Sequence, residues 1–172
     1  NNICVPFGGV CHLRFNRLGD RLAILTHNGV MIYDINFDVF VEIGEGDNKI
    51  LSHVWSCGWI NFDWAPNDVF AISDNSEDSG KISIKKIGLD GVEFLGVVAS
   101  VGGKHPFCIA YSPCGGRLAV SYSSSTMVDI FEVGKFQILE TIDASIESAE
   151  VKWSKEGVVI FCENKYFVME DG

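Results

Sequence analysis

The chain has 172 residues, 47% hydrophobic and 21% charged, which suffices for a packed domain and is too apolar for a disordered one. Its net charge of −10 argues against a nucleic-acid binder, which needs a basic patch to replace phosphate counterions, and against docking on anionic lipid headgroups. The same charge suits a protein or peptide partner of basic character.

No apolar run approaches the ~20 residues of a membrane span, so no membrane association is expected. The Asn1-Asn2 opening, without a basic-then-apolar leader, is expected of a processed product or part of something longer. The six cysteines are Cys4, Cys11, Cys57, Cys108, Cys114 and Cys162. None forms a C-x-x-C pair, and no N-x-Ser/Thr acceptor occurs, so a reduced intracellular compartment, cytoplasmic or nuclear, is expected. The even count leaves disulfides open. Cys108 and Cys162 fall in apolar strand patterns, where a thiol acts as a small hydrophobe.

In chain order, one unit recurs. It begins with an aromatic residue, a polar turn and a short apolar run: Phe15-Asn16-Arg17-Leu18-Gly19-Asp20-Arg21-Leu22-Ala23-Ile24. A second turn at Asn28-Gly29, a dipeptide suited to a tight hairpin, leads to Val30-Met31-Ile32-Tyr33-Asp34 and then to Val39-Phe40-Val41-Glu42-Ile43. The second copy runs Trp64-Ala65-Pro66-Asn67-Asp68-Val69-Phe70-Ala71-Ile72, then Lys81-Ile82-Ser83-Ile84-Lys85-Lys86, then Val92 to Val98. The third runs Tyr111-Ser112-Pro113-Cys114-Gly115-Gly116-Arg117-Leu118-Ala119-Val120, then Thr126 to Glu132, then Phe136 to Ile142. A worn fourth copy opens at Trp153-Ser154-Lys155-Glu156-Gly157-Val158 and continues through Tyr166 to Glu170. The lead aromatics Phe15, Trp64, Tyr111 and Trp153 are spaced 49, 47 and 42 residues apart, within the period of about 40–50 residues found in propeller repeats.

Each unit thus predicts four short strands, a blade with two apolar faces that radial stacking would bury. The first two strands of a blade, sandwiched between neighbours, should be continuously apolar, as Phe107 to Tyr111 and Leu118 to Val120 are. The outer strands should alternate, which Phe136-Gln137-Ile138-Leu139-Glu140 does only in part. The segment Ala110 to Ser121 resembles the WD-repeat family's aromatic-Ser-Pro-x-Gly-x-x-Leu-Ala stretch. Tyr33-Asp34 and Phe131-Glu132 stand where that family has its Trp-Asp pair. The resemblance covers nearly the whole chain but lacks the Gly-His dipeptide and a true Trp-Asp, so the family's buried polar network is not carried over. It implies an all-β fold: a β-propeller of four-stranded antiparallel blades, about four present, as a partial or open ring. The blades are placed at roughly 8–45, 58–100, 105–144 and 147–172. Further blades or a partner chain are expected to complete the ring. A β-sandwich of many short strands is the alternative, and it would not require a repeat.

In such a fold, the loops between strands two and three and those leading into strand one gather on one rim, the face by which WD-type propellers bind partners. There the resemblance places His53, Trp55 and Trp59, the acidic loop with Glu77 and Asp78, then His105, and Ser124 within Ser123-Ser124-Ser125. Trp favours interface hot spots and nearby acids suit a basic peptide. The competing reading packs Trp55 and Trp59 between blades and leaves the acidic loop as a solvated turn. No catalytic set is expected: His105 with the serines lacks a Gly-x-Ser-x-Gly elbow, and Gly102-Gly103-Lys104 lacks phosphate-loop spacing. His12, His27, His53 and His105 lack metal-ligand spacing, and no cofactor is expected. The role implied is a non-catalytic scaffold for protein–protein interactions, as a subunit or recruiting module of a larger complex. The alternatives are a propeller enzyme or ligand-binding module with a central-channel site, and a phosphoinositide-binding propeller. The opening blade faintly resembles the autophagy-related members of the latter, but their Phe-Arg-Arg-Gly motif is absent.

Overall fold

The computed structural model describes residues 10–26, 29–34, 40–43, 61–74, 81–88, 91–99, 104–162 and 165–170. Its regular elements are strands, apart from one 3-10 turn at Val133–Lys135. Sheet 1 contains β1 (Val10–Phe15), β2 (Arg21–Thr26), β3 (Gly29–Asp34) and β4 (Phe40–Ile43). Sheet 2 contains β5 (Phe62–Trp64), β6 (Val69–Asp74), β7 (Lys81–Gly88) and β8 (Gly91–Ala99). Sheet 3 contains β9 (Pro106–Tyr111), β10 (Arg117–Tyr122), β11 (Met127–Glu132) and β12 (Gln137–Asp143). Sheet 4 contains β13 (Glu150–Trp153), β14 (Gly157–Cys162) and β15 (Lys165–Glu170). Every pairing is antiparallel between strands consecutive in the chain.

The lead aromatics occupy equivalent register. Phe15 pairs with Leu22, Trp64 with Phe70, Tyr111 with Leu118 and Trp153 with Val158. The turn after each closes in the same way. The amide of the following residue donates to a carbonyl on the next strand: Asn16 to Arg21, Ala65 to Val69, Ser112 to Arg117 and Ser154 to Gly157, at 2.8 to 2.9 Å. In three turns the polar side chain adds a further bond: the Arg21 amide donates to Asn16 Oδ1, the Arg117 amide to Ser112 Oγ and the Glu156 amide to Ser154 Oγ. Such local side-chain bonds explain why Asn and Ser recur just after the aromatic.

The sheets stack in series, with their first strands side by side: β1 by β5, β5 by β9 and β9 by β13. One face of each sheet packs on the opposite face of the next. Ala23, Leu25, Val30 and Ile32 of sheet 1 meet Phe62, Trp64, Phe70 and Ile72 of sheet 2. Ala71, Ile82 and Ile84 of sheet 2 meet Tyr111, Leu118, Val120, Tyr122 and Phe131 of sheet 3. Ala119, Val128 and Ile130 of sheet 3 meet Val151, Val158 and Ile160 of sheet 4. A small-large pair recurs across strands two and three, Ala23 with Ile32, Ala71 with Ile84 and Ala119 with Ile130. The alanine leaves room for the next sheet's lead aromatic, so complementary volumes let the layers interdigitate. Burying each large apolar side chain this way stabilises the stack by about 1.5–3 kcal/mol.

Sheet 1 departs from the expected sandwiching of first strands. His12, Leu13, Arg14 and Phe15 of β1 are all exposed; Leu13 and Phe15 lie on the face of Leu22, Ile24 and Met31, against which no sheet stacks among the described residues. The start of the last strand of sheet 3 also differs. Phe136 lies outside β12 and closes the 3-10 turn in the left-handed region, at φ 53°.

Candidate functional site

In sheets 3 and 4 the β10–β11 connection lies beside the connections leading into β9 and β13. His105 and the Ser123-Ser124-Ser125 turn meet there: the Ser123 amide donates to the His105 carbonyl at 2.9 Å. His105, Ser123 and Ser124 are exposed. Ser124 adopts φ 56°, and Ser145 and Ser148 of the following connection adopt 58° and 55°. The left-handed conformation costs a side-chain-bearing residue about 1–2 kcal/mol, so the surrounding bonds must hold these turns. They are present: Met127 donates to Ser125 Oγ at 3.2 Å, Ala144 to the Thr126 carbonyl at 2.8 Å, and Ser145 to Asp143 Oδ1 at 2.8 Å. The Ser145 amide, aided by the Thr126 hydroxyl, holds the Asp143 carboxyl below the usual carboxylate range.

Bonds across sheets fix the rim to the frame. Asn61 Nδ2 donates to the Pro106 carbonyl at 3.0 Å, and Ser121 Oγ donates to the Ala149 carbonyl at 2.5 Å. Lys104 Nζ stands 5.6 Å from the centroid of the Tyr122 ring, a cation–π arrangement. The Tyr122 hydroxyl in turn donates to Asp129 Oδ2 at 2.7 Å, and the Thr141 hydroxyl donates to Oδ1 at 2.6 Å. Burial, followed by the neighbouring Asp129 carboxylate, pushes the Tyr122 phenol well above its ordinary value.

Between sheets 2 and 3, Asp63 accepts the Tyr111 amide at 2.7 Å. Burial raises its carboxyl above the usual value, against the amides of Tyr111 and Trp64 and the charges of Arg14 and Arg17. At the opposite rim, Arg17 of sheet 1 donates to the carbonyls of Ser112, at 2.9 Å, and Pro113 in sheet 3. These polar groups are engaged with other groups of the same chain. Among the described residues, no group of three or more His, Cys, Asp or Glu could hold a metal ion, and no helix is long and apolar enough to cross a membrane. Cys108 and Cys114 are free thiols, and Cys108 Sγ donates to the Val151 carbonyl at 3.6 Å.

Of the residues singled out from the sequence, His105 and Ser124 therefore lie on adjoining connections. His53, Trp55, Trp59, Glu77 and Asp78 lie outside the described residues. Lys104, beside His105, stands in a Gly-Gly-Lys context whose spacing carries no signal of its place over the Tyr122 ring. The strained Ser145 and Ser148 carry no glycine or asparagine to signal their conformation.

Solved structures share this arrangement. A beta-propeller domain of Cps50 (Swd1) from Myceliophteria thermophila matches with a TM-score of 0.62 at 15% identity, over 86% of this chain and 46% of that one. The fold is a β-propeller. Hsv2 of Kluyveromyces lactis matches at TM-score 0.65 and 13% identity, over 90% of this chain and 46% of its own. A chain of a mitotic checkpoint complex matches at 0.64 and 17%, over 88% and 43%. No family model matches the chain, and no curated protein sequence matches it. The chain spans a little under half the length of these solved chains, so its stacked blades make up a partial propeller.

Proposed function

We propose that the chain is a non-catalytic, WD-repeat-like scaffold for protein–protein interactions, acting within a larger intracellular complex, with blades at roughly 8–45, 58–100, 105–144 and 147–172. The observation that carries this reading is the rim. A stack of blades locked by buried apolar faces presents exposed polar turns, which the Ser123–His105 bond ties together. Function on rigid scaffolds concentrates in such loops. The matched chain of a mitotic checkpoint complex comes from an assembly, which supports a role in complexes.

The binding set we propose is His53, Trp55, Trp59, Glu77, Asp78, His105 and Ser124. A net charge of −10 supports a partner segment rich in Lys and Arg. The test is binding of a fluorescent Lys/Arg-rich 15-residue peptide by anisotropy, at low and at physiological salt. Trp55→Ala, Glu77→Lys and His105→Asp should each change the affinity at least fivefold while circular dichroism stays the same. Unchanged affinity in all three would refute this rim.

A further inference from the structure

The stack ends in two sheet faces whose register repeats that of the buried junctions. In sheet 4, Val159 pairs with Val168 as Ala23 pairs with Ile32, Ala71 with Ile84 and Ala119 with Ile130. Those three pairs belong to faces on which the next sheet stacks, and all six residues are buried. Val168, by contrast, is 44% exposed. Phe161 lies on the same face as Val159 and stands at the place of Leu25, yet it is 38% exposed. At the other end, Leu13 pairs with Ile24 and Phe15 with Leu22, as Phe62 pairs with Ile72 and Trp64 with Phe70. Phe62 and Trp64 are buried against sheet 1, whereas Leu13 is 57% and Phe15 58% exposed. The rest of the Phe15 face, at Leu22, Ile24 and Met31, is already buried, so its open part is the first strand. Among the described residues, no sheet stacks on either exposed set.

The two faces complement each other. Sheet 4 ends on the face that, in sheets 1 to 3, receives a lead aromatic. Sheet 1 begins on the face that, in sheets 2 to 4, presents one. Their volumes also match. The pairs Ala23–Ile32 and Ala119–Ile130 take up Trp64 and Trp153, so a Val159–Val168 pair, fuller at its first position, suits the smaller ring of Phe15. Leu13 would meet Phe161, as Phe62 shares a core with Leu25. Charge at the junction is no obstacle, since Arg14 holds the place of Lys152 in the junction that Trp64 closes. Length points to the occupant. The chain spans 43 to 46% of the matched solved chains, so two copies supply about one ring, and eight sheets fall within the propeller range of about 4–8 blades. We propose that two copies of this chain join head to tail, Phe15 of each seated on Val159, Phe161 and Val168 of the other, in a ring with two identical junctions. A head-to-tail contact closes into a ring when its rotation allows and otherwise runs on into a filament. The rotation between these sheets is that of chains about twice as long, which is what a two-copy ring requires. With the open contact on sheet 1 confined to its first strand, the affinity should be modest, with Kd on the order of 10 μM. The inference rests on the partial-propeller fold and uses surfaces apart from the proposed rim.

The test is the mass of the full chain by light scattering during gel filtration, at concentrations from about 1 to about 200 μM, which bracket that Kd. The mass should rise from one chain to two and stop there. Phe15→Asp and Val168→Asp should each weaken association at least tenfold with unchanged circular dichroism, because both side chains are exposed in the single chain. The neutral variants Phe15→Ser and Val168→Ser should act in the same direction. An equimolar mixture of Phe15→Asp and Val168→Asp should associate at least threefold more tightly than either variant alone, since pairing the two leaves one junction intact. His105→Asp should leave the mass unchanged, so a failed rim and a failed ring give different patterns. A single chain at the highest concentration, masses that climb past two copies, or a dimer indifferent to both positions would each overturn the proposal. So would a dimer lost by only one of the two variants, the mark of a face packed on itself, or no gain on mixing.

Discussion

Trp64 donates its indole N–H to the carbonyl of Arg14 in the preceding blade, 3.1 Å away, and Trp153 repeats the bond two blades on, to Ala110 at 2.8 Å. Arg14 and Ala110 each directly precede a lead aromatic, so the two bonds are the same inter-blade device. Trp64 also packs edge-on against Phe62 and Phe70, at centroid distances of 5.2 and 5.6 Å. Its counterpart Phe15 is 58% exposed, while Trp64 is 3% exposed. Trp64→Ala should therefore cost about 3–5 kcal/mol, and Phe15→Ala less than about 1 kcal/mol. Urea unfolding of the two variants, at equal slope, checks the contrast. Equal losses would mean that the lead aromatics do not act through the preceding blade.

Asp63 makes a pH-dependent contribution whose sign comes from its raised carboxyl. The folded chain holds the proton to higher pH than the unfolded chain does. Between the unfolded value, about 3.9, and the folded one, the unfolded state binds fewer protons, so stability falls as pH rises through that window. Asp63→Asn keeps an oxygen to accept the Tyr111 amide without a buried charge. The variant should be more stable than the parent at pH 7, and the difference should shrink as pH falls towards about 4. Denaturant midpoints across that range measure it, and a pH-independent difference would contradict the assignment.

The blade repeat was legible because its cues are local: an aromatic, a polar residue that bonds its own turn, and an apolar strand. The burial of each lead aromatic was not legible, since it depends on which sheet stands before it. Phe15 and Trp64 read alike in sequence and differ in exposure. The imperfect alternation of Phe136 to Glu140 now has a physical cause. Phe136 is not in the strand, and Leu139 is the extra residue of a bulge, which shifts the facing of the residues after it. The Tyr122–Asp129–Thr141 cluster was likewise hidden, because its partners sit on three strands and only their register joins them. At the rim, the adjacency of His105 and Ser124 came from topology alone, whereas Lys104 over Tyr122 depends on side-chain geometry that no spacing encodes.

Gly115 and Gly19 separate backbone strain from packing. Both have positive φ, 77° and 75°, in equivalent turns. A Cβ on Gly19 would meet nothing within 4 Å, but one on Gly115 would lie 2.6 Å from Cδ of Pro66 in the neighbouring blade's turn. Gly19→Ala should cost only the conformational penalty, about 1–2 kcal/mol. Gly115→Ala should cost more, by the shift needed between blades 2 and 3. Paired thermal or urea unfolding reads the difference, and equal losses would mean that the turns are not in fixed contact.

Asp129 is a buried carboxylate that sits opposite Thr141 in register and accepts hydrogen bonds from two hydroxyls, those of Tyr122 and Thr141. Burying a carboxylate is tolerable only when such donors replace water. Tyr122→Phe and Thr141→Val each remove one donor and leave the acceptor buried, so each should cost about 1.5–3 kcal/mol. The two losses should not add, because the first removal makes the remaining bond more important to the carboxylate. A double-mutant cycle by urea unfolding, with the pair losing more than the sum of the singles, is the expected result. Strict additivity would show that the two hydroxyls serve Asp129 independently and that the cluster is not a network.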